Sequence, residues 1–165
     1  MPVFRLRAGG ATAGALTLCL VLLASAPAHA DATFFLGSTM TPEARAARGV
    51  ALGASFVILG FEFEYSTTSD DPAGAAPGLK TGMGNVYAQA PFGVVQFYVL
   101  LGAGVYRERL GEAQETSAAT SIGGGAKVSL AGPLRLRLDY RVFNLRGQPL
   151  HSRVHRMYAG LNLLF

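Results

Sequence analysis

From about residue 32 onward, apolar and polar side chains alternate with a period of two, the pattern of strands with two unlike faces. The sharpest segment sets Leu134, Leu136, Leu138, Tyr140 and Val142 against Arg135, Arg137, Asp139, Arg141 and Phe143. Another sets Val95, Phe97, Val99, Leu101, Ala103 and Val105 against Gln96, Tyr98, Leu100, Gly102, Gly104 and Tyr106. A third places Phe61, Phe63 and Tyr65 opposite Glu62 and Glu64. The last runs unbroken to Phe165, with Met157, Ala159, Leu161, Leu163 and Phe165 on one face and Arg156, Tyr158, Gly160 and Asn162 on the other. One segment is ambiguous, because Met83 and Tyr87 compete with Val86 and Ala88 for its apolar face.

The pattern predicts eight strands, near 32–38, 49–58, 61–67, 79–89, 95–106, 119–130, 134–143 and 154–165. The second, fourth and sixth connections are tight, at Leu59-Gly60, residues 90–94 and Ala131-Gly132-Pro133, where Gly and Pro supply ordinary turn chemistry. The odd-numbered connections are longer and polar, as at residues 67–72 and 109–116.

The first thirty residues stand apart. Arg5 and Arg7 precede the apolar run 14–23, and Ala28-His29-Ala30 then supplies a small-x-small cleavage pattern. A leader cut after Ala30 is expected, leaving residues 31–165 as one domain. That domain has no cysteine, which excludes disulfides and thiolate metal sites. Without Arg5 and Arg7 it carries twelve basic against ten acidic side chains, alternating in sign along the chain; no basic patch for nucleic acid is expected. No apolar stretch is long and uncharged enough for a transmembrane helix, so any membrane crossing is made by strands.

Alternation alone does not say which face points inward. A soluble carrier of the lipocalin type puts the apolar face inside, and a membrane barrel puts it outside. Three features favour the membrane barrel. The final strand ends on Phe165. The strands run about ten residues, enough to cross an outer membrane when tilted. The polar face carries Gly102, Gly104, Gly123, Gly125 and Gly160, which suit a cramped lumen better than a solvated exterior.

The leader, the eight alternating strands, the long–short rhythm of connections and the terminal Phe165 together resemble small bacterial outer-membrane β-barrels of the OmpA/OmpX type. The resemblance implies an antiparallel up-and-down barrel with periplasmic turns and extracellular loops, inserted by the barrel-assembly machinery. Met157, Ala159, Leu161, Leu163 and Phe165 then serve as the assembly signal. It also implies a monomer in contact with outer-membrane lipid and lipopolysaccharide. Phe56, Phe61, Tyr87, Phe97 and Phe165 are expected at the periplasmic interface, and Tyr65 and Tyr140 near the outer leaflet. The fold hosts adhesins, enzymes and narrow pores alike, so it does not name a role.

In so narrow a barrel, Glu62 and Glu64 on the third strand face Arg135, Arg137 and Arg141 on the seventh, with Lys127, Asp139 and Arg156 in the same space. The expected outcome is an ion-pair plug, since shielded charges must be paired. An enzymatic alternative, acting on lipid A or phospholipid, draws on His151, Ser152 and His155 with Glu108 and Glu112 in a preceding loop. Its weakness is that Ser152 directly follows His151, without the His-x-Ser spacing of the outer-membrane deacylases. His151 and His155 have the spacing of a helical metal pair, but Pro149 and a strand flank them. Asp70 and Asp71 read as a solvated loop, with a divalent cation as the alternative. No cofactor, metal or catalytic residue is expected, and the leading reading is a non-enzymatic barrel with a structural or surface-interaction role.

Overall fold

The computed structural model describes residues 28–165; the expected leader lies almost wholly outside the described residues. Eight antiparallel strands form one closed barrel in sequence order. They are β1 (Ala28–Thr39), β2 (Arg45–Phe56), β3 (Leu59–Thr68), β4 (Gly78–Phe92), β5 (Val95–Leu110), β6 (Ala113–Ala131), β7 (Leu134–Leu145) and β8 (Arg153–Leu164). Closure comes from β8 pairing with β1, in register from Asp31↔Leu164 to Thr39↔Arg156. Closing the sheet leaves no edge strand with unpaired backbone groups.

The apolar face points outward. Phe34, Leu36, Leu52, Phe61, Phe63, Phe97, Val99, Leu101 and Leu161 are each at least half exposed, whereas Glu64, Arg137, Arg141 and Arg156 are at most 1% exposed. This is the inverse of a carrier with a greasy interior. The ambiguous strand is resolved by the same rule: Leu79, Met83 and Tyr87 of β4 point inward, and Val86 and Ala88 point outward. Tyr87 therefore corrects the expected interfacial girdle. Its ring lies inside the barrel over Gly60, where a Cβ would collide with it.

Three tight connections mark one end of the barrel, the turn end, at residues 57–58, 93–94 and 132–133. The first lies two residues before the expected Leu59-Gly60, and both of those residues belong to β3. Gly93 and Gly132 open their turns with φ of +62° and +55°, as a II′-type turn requires. Val57 does the same at +50°, an unfavourable conformation for a β-branched residue.

The opposite, loop end carries residues 40–44, 69–77 and 146–152. The connection expected as a long polar loop around 109–116 is instead a two-residue turn at Gly111-Glu112. Its flanks continue the β5–β6 ladder as far as Leu110↔Ala113, raising a hairpin above the barrel wall. Gly111, with φ of +60°, permits the turn, while the polar flanks pair as strands.

Candidate functional site

Inward-facing side chains fill the barrel in layers. Nearest the turn end, Lys127 on β6 donates to Asp31 on β1 at 2.7 Å, with both side chains 2% exposed. Tyr87, Tyr98 and Leu100 pack beside this pair, and the Lys127 ammonium sits 5.2 Å from the Tyr87 ring centre.

The middle layer is a single charged network. Arg137 donates to both oxygens of Glu62 and, at 3.1 Å, to Asp139. Arg141 reaches Glu62 at 2.9 Å and Asp139 at 2.8 Å. Its Nη1 lies 2.7 Å from Glu64, held there by charge, since the group makes no aligned hydrogen bond. Arg156 completes the series with Glu64 at 3.3 Å and the Ser66 hydroxyl at 2.5 Å. Tyr98 donates to Asp139 and accepts from Arg137, and Tyr158 accepts from Arg141 at 2.7 Å and donates to Glu64. Asp31, Glu62, Glu64 and Asp139 thus face Lys127, Arg137, Arg141 and Arg156, four negative against four positive groups. Small residues make room for this density. A Cβ at Gly123 would meet the Arg141 side chain at 2.8 Å, and one at Gly125 the Tyr98 hydroxyl at 2.7 Å.

Above the network the lumen turns apolar. Leu79, Met83, Tyr106, Ala119, Phe143, Leu145 and Val154 form a buried cluster toward the loop end. Arg156 joins the two layers, its guanidinium carbon 4.5 Å from the Phe143 ring centre.

The loops are tied down over this cluster. Tyr106 donates to the Arg146 carbonyl at 2.5 Å, Glu115 accepts from the Gln148 amide at 2.9 Å, and Glu108 accepts from the Leu150 amide at 2.9 Å. Arg45 donates to carbonyls of Thr41, Ser69 and Pro77, joining the first two long loops. Burial pushes its guanidinium below the usual range, while Glu108 and then Asp71 push the other way.

Of the eight residues expected in the lumen network, Arg135 stands outside it. It donates to Gln96 at 3.0 Å at the turn end, too far down the strand to reach Glu62. Asp31 is the member that sequence reasoning missed. It lies at the expected leader boundary, and its strand is too weakly patterned to reveal an inward acid. The residues expected as an assembly signal, Met157, Leu161, Leu163 and Phe165, line the outer wall, each at least 45% exposed, with Ala159 among them.

Among the described residues, neither His151 nor His155 hydrogen-bonds a serine hydroxyl. His155 shares a 2.7 Å hydrogen bond with the Tyr140 hydroxyl on the outer wall, while His151 and Ser152 lie in the last loop. Glu108 is inward and engaged with Leu150, and Glu112 is at the hairpin tip. Asp71 accepts from the amides of Ala73 and Gly74, closing its own loop. Among the described residues, no group of three or more His, Cys, Asp or Glu is placed to hold a metal.

An apolar outer wall around a charged, packed interior is the arrangement a lipid solvent demands. Solved structures of small outer-membrane barrels share the fold. Neisserial surface protein A superposes with a TM-score of 0.64 at 16% identity, over 84% of this chain and 96% of that one. The N-terminal β-barrel domain of Pseudomonas aeruginosa OprF gives 0.61 at 14%, over 83% and 97%. The chain has the fold of a small outer-membrane β-barrel. The outer membrane enzyme PagL shares it too, with a TM-score of 0.53 at 12% identity over 81% of this chain and 98% of that one. A surface protein and an enzyme on one scaffold leave the role to be argued from the barrel's own residues. No family model and no curated protein matches the sequence.

Proposed function

We propose that this chain is exported through a cleavable leader and inserted into the bacterial outer membrane, with the turn end in the periplasm and the long loops outside. There it serves as a monomeric, non-enzymatic barrel with a structural or surface-interaction role. The observation that carries the reading is the inversion of polarity. Aromatic and aliphatic side chains cover the outer wall, and the strand carboxylates Asp31, Glu62, Glu64, Glu108 and Asp139 are buried inside the barrel. Water outside such a wall would leave a large continuous apolar surface unsolvated, whereas lipid covers it without cost.

A closed lumen supports a structural over a conducting role, because an ion entering the middle layer would have to displace paired charges. A surface role is supported by the ordered loop end, where the loops are cross-tied by Arg45, Glu108 and Glu115. Membrane fractionation with a heat-modifiable gel shift in detergent tests the reading. Folded protein in the outer-membrane fraction, migrating differently after boiling, is the expected result. Folded protein recovered from periplasm without detergent overturns it.

The assembly signal has its own test. Phe165 is 70% exposed on the outer wall, at the end of the unbroken apolar series of β8. Deleting Phe165 is expected to lower folded protein in the outer membrane several-fold. Unchanged levels would remove Phe165 from the signal.

A further inference from the structure

In linear order the charges alternate in sign, but the barrel sorts them. On the strands, Asp31, Glu62, Glu64, Glu108, Glu115 and Asp139 all point inward; the remaining acids of the described chain lie in loops and turns. Arg48 (β2), Lys80 (β4), Arg107 and Arg109 (both β5) are exposed on the outer wall, all at the loop end. The register puts three of these cations in one row. Arg48 pairs with Thr67, Thr67 with Lys80, and Lys80 with Arg107.

We propose that Arg48, Lys80, Arg107 and Arg109 form a strip on the outer wall that binds a membrane-lipid headgroup carrying more than one phosphate. The proposal rests on the membrane reading above and assigns that barrel a specific lipid ligand.

Lys80 and Arg107 are directly opposed on the same face, an arrangement that is destabilising in a sheet unless an anion bridges it. Among the described residues none of the four makes an ion pair. Arg107 uses its Nε on Thr116 at 3.4 Å and Arg109 its Nε on the Gly111 carbonyl at 3.1 Å, leaving the ends of both guanidinium forks free. Lys80, Arg107 and Arg109 line a hollow of about 290 Å³ with Thr67, Gln114 and Asp70. Asp70 enters from the loop above without reaching ion-pair distance, so the strip keeps its positive sign.

Height and width identify the ligand. Below Arg107 on β5, the outward residues from Phe97 to Val105 are all apolar, a nine-residue span that matches the hydrocarbon layer. The strip therefore stands where lipid headgroups begin. It crosses β2 to β5, about 14 Å at the usual strand spacing, wider than one phosphate and suited to two held apart on a sugar scaffold. Arginine forks and a lysine are the side chains that recognise phosphate.

The test titrates diphosphoryl lipid A, its phosphate-free counterpart and phosphatidylglycerol onto the detergent-purified barrel, with bound lipid read by native mass spectrometry. Diphosphoryl lipid A is expected to bind tightest, and to weaken about fivefold for each cation removed in Arg48→Gln, Lys80→Gln and Arg107→Gln. The three substitutions are also combined, and Lys80→Gln alone supplies the readout if that triple variant does not fold. Equal binding of the phosphate-free lipid, binding of phosphatidylglycerol as tight as diphosphoryl lipid A, or unchanged affinity in the variants each overturns the strip. Such a failure in protein that keeps the folded gel mobility leaves the membrane reading standing. A parent chain that is soluble without detergent sinks both.

Discussion

The lumen holds two neighbouring layers that solve the same packing problem differently. The middle layer fills its space with Arg137, Arg141, Arg156, Glu62, Glu64 and Asp139, whose geometry is directional and whose partners are fixed. The layer above fills its space with Met83, Phe143, Leu145 and Val154, which need only volume. Both exclude water. The charged layer also ties β3, β7 and β8 across the barrel, so it specifies which strands face each other, whereas the apolar layer is indifferent to partner identity.

The largest expected effect comes from reversing a charge in the middle layer. Arg137→Glu removes one of the two arginine partners of Glu62 and Asp139 and adds a third carboxylate beside them. Breaking a buried pair costs about 3–5 kcal/mol, and reversal costs no less. Urea unfolding from lipid measures it; a loss below about 1 kcal/mol would mean that the charges are solvated and the plug is open. In the apolar layer, Met83→Ala leaves a cavity and is expected to cost about 2–5 kcal/mol. Met83→Leu, which nearly conserves volume, should stay below about 1.5 kcal/mol. A strong loss for the leucine variant in the same unfolding assay would erase the distinction between the layers.

The pair nearest the turn end sharpens the comparison, because it is a charged contact that makes little use of the network. Lys127→Met or Asp31→Leu alone should destabilise by about 3–5 kcal/mol. Together they should be neutral or stabilising by about 1–4 kcal/mol, as an apolar replacement of an isolated buried pair tends to be. A double variant as unstable as the singles would show that Asp31 and Lys127 serve partners beyond each other. The smallest effect is a gain outside the lumen. Val57→Gly relieves the left-handed backbone of the first turn and should stabilise by about 1 kcal/mol in the same unfolding assay, with a loss counting against the turn geometry.

The inward faces of β3, β6 and β7 were legible because charge and glycine alternate there with apolar side chains, which gave Glu62, Glu64, Lys127, Arg137, Asp139 and Arg141. The face of β4 was not, because its inward side mixes Leu79, Met83 and Tyr87 with Thr81, Asn85 and Gln89. Met83 and Tyr87 are as greasy as outward Val86 and Ala88, which blurs the alternation. The hairpin at Gly111 was read as a loop for a related reason: above the barrel wall both faces carry polar side chains, Arg109 and Gln114 outward, Glu108 and Glu115 inward, so polarity stops reporting strand structure. The outer cationic strip was hidden by linear order, since Arg48 and Lys80 become neighbours only through the register of β3.

The cross-ties at the loop end divide it into segments suited and unsuited to carrying foreign sequence. An insert within 146–152 would compete with the hydrogen bond that Tyr106 donates and those that Glu108 and Glu115 accept, which hold that loop over the lumen. The tip at Gly111-Glu112 stands clear of them, and both residues are exposed. A peptide epitope grafted there would be carried on a paired β-ribbon rather than a loop, making this tip the natural mount for displaying a sequence clear of the barrel wall.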